Sequence, residues 1–378
     1  MTSQHGTHND LHAEQGALSG EHPGRARNPV IKVSELAWLE FVKPDLAASE
    51  AFAHAFGFTT VSRTADELQL RGTDAGAPAV IVRRGSHSKY LGAAFRAAET
   101  ADVARLADAT GTKVEDLPEH LGGVTVDLTD PNGVMVRVVA DTHELTALEP
   151  QPTQDFNFGR QVGRANSTQR PPRAPAKIQR LGHVVLQSTR YLETLNWYLQ
   201  HLGLIVSDFK YYEGQRERGP TMSFIRCDRG STPTDHHTLA MMLGPSNRYV
   251  HSAYQVADLD ALAAGGEYLH DAGFQRSWGI GRHIEGSQIF DYWRDADGLL
   301  VEHYADGDLF DSTLAPGWSP MTASGLAQWG PPVTQDFLGL TPGRDLVGEL
   351  VSMARSLRAD DNEFDLTRLR GLLKVSSS

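Results

Sequence analysis

Two stretches of this 378-residue chain decide its fold because they repeat each other: "SELAWLEFVKPDLAASEAFAHAFGFTTVS" at 34–62 and "QRLGHVVLQSTRYLETLNWYLQHLGLIVS" at 179–207. Each begins with a short apolar strand, followed by a polar turn, an amphipathic helix, a glycine and a second strand. Two later pairs also match, and these are "KYLGAAFRA" at 89–97 with "RYVHSAYQV" at 248–256, and "DLTDPNGVMVRVV" at 127–139 with "YWRDADGLLVEHY" at 292–304. The chain therefore contains an internal duplication.

The duplication predicts the architecture. Within each half the order strand, helix, strands occurs twice, with helices near 46–55 and 102–110 and then near 190–202 and 257–272. The economical interpretation is an α+β fold of two tandem domains. Each domain would contain two βαβββ modules whose sheets curl around an open cavity.

Composition along the chain predicts the boundaries. The segment 148–178 is rich in Pro, Gln, Asn and Arg without apolar periodicity, which is typical of a linker. In the tail, "GRDLVGELVSMARSL" and "NEFDLTRLRGLL" have helical spacing. The predicted parts are a disordered leader over 1–28, a first domain over 29–147, the linker, a second domain over 179–308, and a helical tail over 309–378.

Charge and cysteine content narrow the class of partner. A formal charge of -12 argues against nucleic acid and anionic membranes. The polar leader lacks the apolar core of a signal peptide, and no stretch reaches the roughly 18 apolar residues of a membrane span. The single cysteine, Cys227, excludes an intrachain disulfide and a thiolate metal cluster. We therefore expect a cytoplasmic protein with a small-molecule substrate and neither nucleic-acid nor membrane partners.

The two halves differ at three corresponding strand positions. The second half carries His183, His251 and Glu302 where the first half carries Trp38, Gly92 and Arg137. Glu302 follows the apolar run 299–301, and a buried carboxylate is costly unless a cation or hydrogen bonds compensate it. Two imidazoles and one carboxylate from separate strands are the ligand set of non-haem Fe(II) oxygenases, and zinc could use the same set.

Each of these residues also has an ordinary structural explanation. His183 alone could be a hydrogen-bonded core histidine, His251 could cap a strand, and Glu302 could face solvent. The three ordinary explanations are not independent of one another, because the repeat places all three residues at corresponding strand positions around one predicted cavity. A metal site in the second half is therefore favoured.

The stretch "GRHIEGSQIFDYWRDADGLLVEHY" at 281–304 resembles the signature of the type I extradiol ring-cleaving catechol dioxygenases, in the vicinal oxygen chelate superfamily. The matching residues are Gly281, His283, Tyr292, Asp295, Gly298 and Glu302. Two positions depart from the family pattern, since Asp291 stands where an apolar residue is usual and Ala296 replaces a proline. "DHHTLAMM" at 235–242 also resembles the region of the family that carries a histidine beside the metal ligands.

The resemblance implies residue roles. His183, His251 and Glu302 would bind Fe(II), or Mn(II) in its place, with dioxygen as co-substrate. His237 matches the histidine that handles the substrate proton, and His283 and Tyr292 match the pair that hydrogen-bonds the bound substrate. His236 is the nearest rival of His237, and strand alternation predicts that it points off the cavity face. A homo-oligomer is also expected.

The substrate is expected to be an aromatic catechol with an apolar substituent. Four residues on the predicted cavity face suit such a ring, and these are Val185, Phe224, Ala240 and Ala253. The alternatives are a hydroquinone-cleaving or 4-hydroxyphenylpyruvate-type oxygenase on the same fold, a glyoxalase- or epimerase-like metal enzyme, and a drug-binding protein. A glyoxalase-like site usually has a second glutamate, which the first half does not supply at Trp38 or Arg137.

Overall fold

The computed structural model describes residues 16–153, 155–338 and 362–375, and in them two large sheets are packed with helices. The first sheet contains β1 (Val33–Lys43), β2 (Thr59–Arg63), β3 (Glu67–Arg71), β4 (Val80–Arg84), β5 (Lys89–Ala97), β6 (Val114–Asp116), β7 (Val124–Thr129) and β8 (Met135–Ala140). Helices α1 (Leu46–Phe56) and α2 (Thr100–Thr110) connect its strands.

The second sheet contains β9 (Arg180–Ser188), β10 (Ile205–Tyr212), β11 (Met222–Arg226), β13 (Leu239–Leu243), β14 (Arg248–Gln255), β15 (Arg276–His283), β16 (Ile289–Arg294), β17 (Leu300–Ala305), β19 (Gly317–Met321) and β20 (Ala327–Trp329). Its helices are α3 (Tyr191–Leu202) and α4 (Leu259–Asp271). A small separate sheet pairs β12 (Thr234–Asp235) with β18 (Leu309–Phe310), and helix α5 (Leu366–Val375) follows.

The topology confirms the predicted duplication. The first sheet has the order β2-β3-β4-β1-β5-β8-β7-β6, and the second repeats it as β10-β11-β13-β9-β14-β17-β16-β15. In each βαβββ module the first strand pairs in parallel with the last one, as β1 does with β4 and β14 with β17. The two modules of a sheet meet through antiparallel pairing of their first strands.

Register supports the residue correspondence between the halves. Trp38 lies opposite Ala94, which in turn lies opposite Arg137. In the second sheet, His183 lies opposite Ala253, which lies opposite Glu302. The same three-strand arrangement therefore carries two of the predicted metal ligands in one sheet and other side chains in its copy.

In the first sheet, an ion-pair cluster occupies the place that the predicted metal ligands occupy in the second sheet. Glu40 is fully buried and contacts the guanidinium groups of Arg83 and Arg137, and it accepts a hydrogen bond of 3.1 Å from Trp38 Nε1. At Gly92 an added Cβ would lie 2.0 Å from the Met135 carbonyl oxygen, so no histidine fits there.

Local sequence signals account for the helix ends. The Asp45 carboxylate caps α1 by accepting hydrogen bonds of 2.9 Å from the amides of Ala47 and Ala48. Gly57 ends the helix with a φ of 106°, which a residue with a Cβ rarely adopts. Asp258 caps α4 in the same way through the amide of Ala261.

The two sheets share a continuous apolar core and specific polar contacts. His303 Nε2 lies 2.7 Å from the Phe56 carbonyl oxygen, and its ring stacks on that of Phe56 at 3.7 Å. Lys43 on β1 contacts Asp295 and lies 3.0 Å from Asp297, both in the turn before β17. These contacts tie the first domain to the segment that leads into Glu302.

The structure differs from the sequence prediction at both ends. The sequence predicts a disordered leader over 1–28, yet in its described part Glu21 pairs with Arg216 at 2.7 Å and the Gly24 carbonyl accepts from the Val206 amide. The tail forms α5 as predicted, but it also adds β19 and β20 to the two edges of the second sheet. Edge strands have unpaired backbone N–H and C=O groups, and the strands of the tail form hydrogen bonds with them. The predicted helix at 343–357 lies outside the described residues. Among the described residues, no helix is long and apolar enough to cross a membrane.

Candidate metal centre

The second sheet brings together the three side chains predicted as metal ligands. His183 is on β9, His251 on β14 and Glu302 on β17, and all three are buried. Glu302 Oε2 lies 3.3 Å from His183 Nε2 and 3.2 Å from His251 Nε2. One ligand atom from each residue falls within 4.8 Å of the others.

This arrangement fits a divalent metal ion. Two ligands at right angles, each about 2.1 Å from a shared ion, lie about 3 Å apart, close to the separations between Glu302 and the histidines. Neither Glu302 oxygen has a hydrogen-bond partner of good geometry among the described residues. A fully buried carboxylate without such partners is costly, and a bound cation would compensate it.

The protonation states also suit metal binding. Burial alone would raise the pKa of the Glu302 carboxyl, but the imidazoles of His183 and His251 lower it well below its usual range. Burial lowers the pKa of His183. An ionised carboxylate beside a neutral imidazole presents lone pairs to a metal without prior loss of a proton.

His237 lies beside the triad. Its ring centroid is 4.0 Å from that of His183, and the edge of Phe224 packs against it at 5.1 Å. Burial and the neighbouring imidazoles of His183 and His236 hold the pKa of His237 well below its usual value. The side chain is therefore a neutral imidazole at neutral pH, with one nitrogen able to accept a proton.

His236 lies between His237 and Asp208. It is buried, with Nδ1 3.0 Å from Nδ1 of His237 and Nε2 2.7 Å from Asp208 Oδ2. His236 and His237 both precede β13, so the two-residue alternation of a strand governs neither of them. Sequence reasoning missed Asp208, although an aspartate within the strand "IVSDFKYY" is the same kind of signal as Glu302.

His283 and Tyr292 form the other wall of the site. His283 Nε2 is 2.8 Å from the Tyr292 hydroxyl and 3.9 Å from Glu302 Oε1. Its Nδ1 lies 2.8 Å from the Leu326 carbonyl oxygen, so the tail fixes the orientation of the ring. Phe337 packs on Tyr292 at 4.8 Å and closes this wall from outside. Burial raises the pKa of Tyr292 well above its usual value, which keeps the hydroxyl protonated.

The four residues predicted for the substrate wall are neighbours across strands. Val185 lies opposite both His251 and Ala240, and Ala240 lies opposite Phe224. Ala253 lies opposite both His183 and Glu302. The arrangement leaves small apolar side chains next to the triad and an aromatic ring one strand further away.

A buried ion pair on the same sheet was not predicted. Lys210 on β10 contacts Glu285, and the Ser319 hydroxyl donates to Glu285 at 3.2 Å. All three are nearly inaccessible to solvent. The sequence signal was available, since Lys210 shares its strand face with Asp208, but its partners come from distant segments.

Comparison with known proteins agrees with this geometry. Residues 180–303 match the family model described as "Glyoxalase/Bleomycin resistance protein/Dioxygenase superfamily". A protein named metapyrocatechase 2, from Cupriavidus necator, is 28% identical over 338 residues, which are 87% of this chain and 98% of that protein.

Solved structures share the fold. A homoprotocatechuate 2,3-dioxygenase from Arthrobacter globiformis superposes with a TM-score of 0.67 at 18% identity, over 86% of this chain and 95% of that one. A Mn(II)-bound glyoxalase from Novosphingobium aromaticivorans gives 0.66 at 23% identity, over 81% of this chain and 94% of that one. The chain therefore has the vicinal oxygen chelate fold, and its predicted resemblance to the extradiol dioxygenases is confirmed by a relative that it matches along most of its length.

Proposed function

We propose that this protein cleaves the ring of a catechol in the extradiol position and inserts both atoms of dioxygen. The observation that carries the proposal is the set of His183, His251 and Glu302, two imidazoles and one carboxylate that would hold Fe(II). Mn(II) is the alternative ion, as in the glyoxalase of similar fold. The metapyrocatechase similarity supports this reaction over others on the same fold.

A metal held by these three residues would supply Lewis-acid and oxygen-activating chemistry. The protein residues would transfer protons and position the substrate. A catechol must lose a hydroxyl proton to bind as an anion, and His237 is the buried neutral base next to the triad. The paired His283 and Tyr292 offer hydrogen bonds from the opposite wall.

The wall residues favour an aromatic substrate. Val185, Ala240 and Ala253 are small and fully apolar, and Phe224 adds a ring edge at the far side. We propose that these four side chains contact the aromatic ring and exclude water from it. Aromatic catabolism in the cytoplasm is the corresponding role, and the single buried Cys227 is consistent with a reducing compartment.

We also propose that the two sheets are separate domains, over 29–147 and 179–308, joined by the linker at 148–178. Only the second would bind metal, because the buried Glu40 of the first is already occupied by Arg83 and Arg137. We propose in addition that the protein forms a homo-oligomer. Size-exclusion chromatography with light scattering measures its molar mass in solution and so tests this oligomeric state.

The test is a substrate screen on the Fe(II)-loaded protein. Catechol, 2,3-dihydroxybiphenyl and homoprotocatechuate should each be tried for the yellow ring-fission product, with isotope-labelled dioxygen to show that both atoms enter it. Hydroquinones and aryl pyruvates test the alternative oxygenases. His251→Ala should abolish the reaction, whereas His270→Ala, an exposed histidine on α4, should not. Turnover of only hydroquinones or aryl pyruvates would contradict the proposal.

A further inference from the structure

Three buried side chains form a hydrogen-bonded chain that ends beside the proposed metal site. The Asp208 carboxylate on β10 lies 2.7 Å from His236 Nε2, and His236 Nδ1 lies 3.0 Å from His237 Nδ1. All three side chains are almost fully shielded from solvent. The rings of Phe224 and Phe310 flank His236 at 5.5 and 5.4 Å and help to exclude water.

The backbone holds the middle member in place. The His236 amide donates to the Asp308 carbonyl at 2.9 Å, and the Ser207 hydroxyl donates to the His236 carbonyl at 2.6 Å. An added Cβ at Gly286 would lie 2.9 Å from His236 Nδ1, so this glycine allows the loop to approach the ring closely. The chain is thus built into the fold and does not depend on a mobile surface side chain.

The two contacts assign the hydrogens for an ionised Asp208 carboxylate and two uncharged histidines. An ionised carboxylate can only accept, so His236 Nε2 carries the hydrogen shared with Asp208. A neutral His236 then has a bare Nδ1, and this nitrogen must accept the hydrogen on His237 Nδ1. A neutral His237 is left with its lone pair on Nε2, the nitrogen that is not engaged by His236.

We propose that Asp208 and His236 are positioning residues that hold His237 as the tautomer with a bare Nε2, oriented to take a proton from a catechol hydroxyl. The inference rests on the proposed function. In the step that it serves, the substrate O–H bond breaks and an N–H bond forms at His237 Nε2. The resulting imidazolium keeps its Nδ1–H bond to His236, and Asp208 lies at the other end of the chain as counter-charge.

Two matched substitutions separate this role from simple packing. In His236→Gln, the side-chain amide can donate to Asp208 and its oxygen can accept from His237, so the tautomer is retained. In His236→Leu, both hydrogen bonds are lost while the space is filled. Asp208→Asn and Asp208→Leu form a second pair, because the asparagine oxygen can still accept from His236.

The kinetic expectation is a change in turnover more than in affinity. His236→Leu and Asp208→Leu should lower kcat about 10- to 100-fold, less than the roughly 10²–10⁴-fold loss typical when the proton-transfer group itself is removed. KM should change about threefold or less, and the Gln and Asn variants should recover most of kcat. Equal losses in the Leu and Gln variants of His236, with both folded, would overturn the inference.

A second readout does not need turnover. In the full-length protein with isotope-labelled histidines and Zn(II) in place of iron, nitrogen NMR reports which ring nitrogen carries the hydrogen. Wild type and His236→Gln should show His237 protonated on Nδ1 alone, and His236→Leu should show a mixture of tautomers. A hydrogen on Nε2 in wild type would overturn the inference. This measurement does not depend on turnover, so it tests the tautomer of His237 even if no catechol is cleaved. Failure to cleave any catechol would refute the proposed function and not the tautomer.

Discussion

Arg137→Met tests whether the first domain is a structural copy without metal. The substitution keeps most of the side-chain volume but removes the charge that contacts buried Glu40 and the paired hydrogen bonds of 2.7 and 2.6 Å to Asp127. Removing one partner of a buried ion pair costs about 3–5 kcal/mol. Arg83 still contacts Glu40, and Asp127 is exposed, so we expect the lower end, about 3 kcal/mol.

The assay is thermal unfolding of the Fe(II)-loaded protein, with iron content and turnover measured on the same samples. A loss of about 3 kcal/mol should lower the Tm by roughly 6–12 °C, at the roughly 2–4 °C per kcal/mol typical of cooperative units of about 150–250 residues. Iron content and kcat should be unchanged, because the cluster lies in the other sheet. Adding Glu40→Gln removes the buried charge and should restore part of the loss. Loss of iron with folding intact, or an unchanged Tm, would refute the reasoning.

Three further substitutions probe other parts of the chain. Burial raises the pKa of Asp291 to about 7 despite Arg276, so in the folded state its carboxyl is largely protonated below that pH. The unfolding free energy should therefore fall by roughly 1.4 kcal/mol per pH unit between about pH 4 and 7, relative to Asp291→Asn measured by denaturant titration across that range. Tyr292→Phe removes the hydroxyl 2.8 Å from His283 Nε2 and should lower kcat/KM by about 10- to 100-fold with full iron content in metal analysis. Gly92→Ala forces a Cβ to within 2.0 Å of the Met135 carbonyl oxygen and should cost about 2–4 kcal/mol in unfolding experiments.

The fold and the triad were accessible from sequence for a physical reason. Strand alternation and the repeat can be read from the sequence, and together they predict that His183, His251 and Glu302 meet, as the structure places them. A carboxylate in an apolar strand is conspicuous because burying it is costly. The register of the two sheets then reproduces the correspondence that the aligned stretches indicate.

The contacts behind the triad depend on long-range geometry. Asp208 on β10 reaches His236 although β11 lies between β10 and β13 in the sheet, and no local sequence pattern indicates that contact. The same is true of Lys210 and Glu285, which are distant along the chain. The edge strands β19 and β20 lie in a proline- and glycine-rich tail, where pairing with an existing sheet outweighs weak local strand propensity.

Metal analysis of the wild type and of Glu302→Ala tests the central claim most directly. Both proteins are loaded anaerobically with Fe(II), passed through a desalting column and analysed for iron and protein, with circular dichroism as a check of folding. Wild type should retain one iron per chain, bound by His183, His251 and Glu302, and Glu302→Ala should retain almost none. Two irons per chain in wild type, or full occupancy in folded Glu302→Ala, would contradict the account.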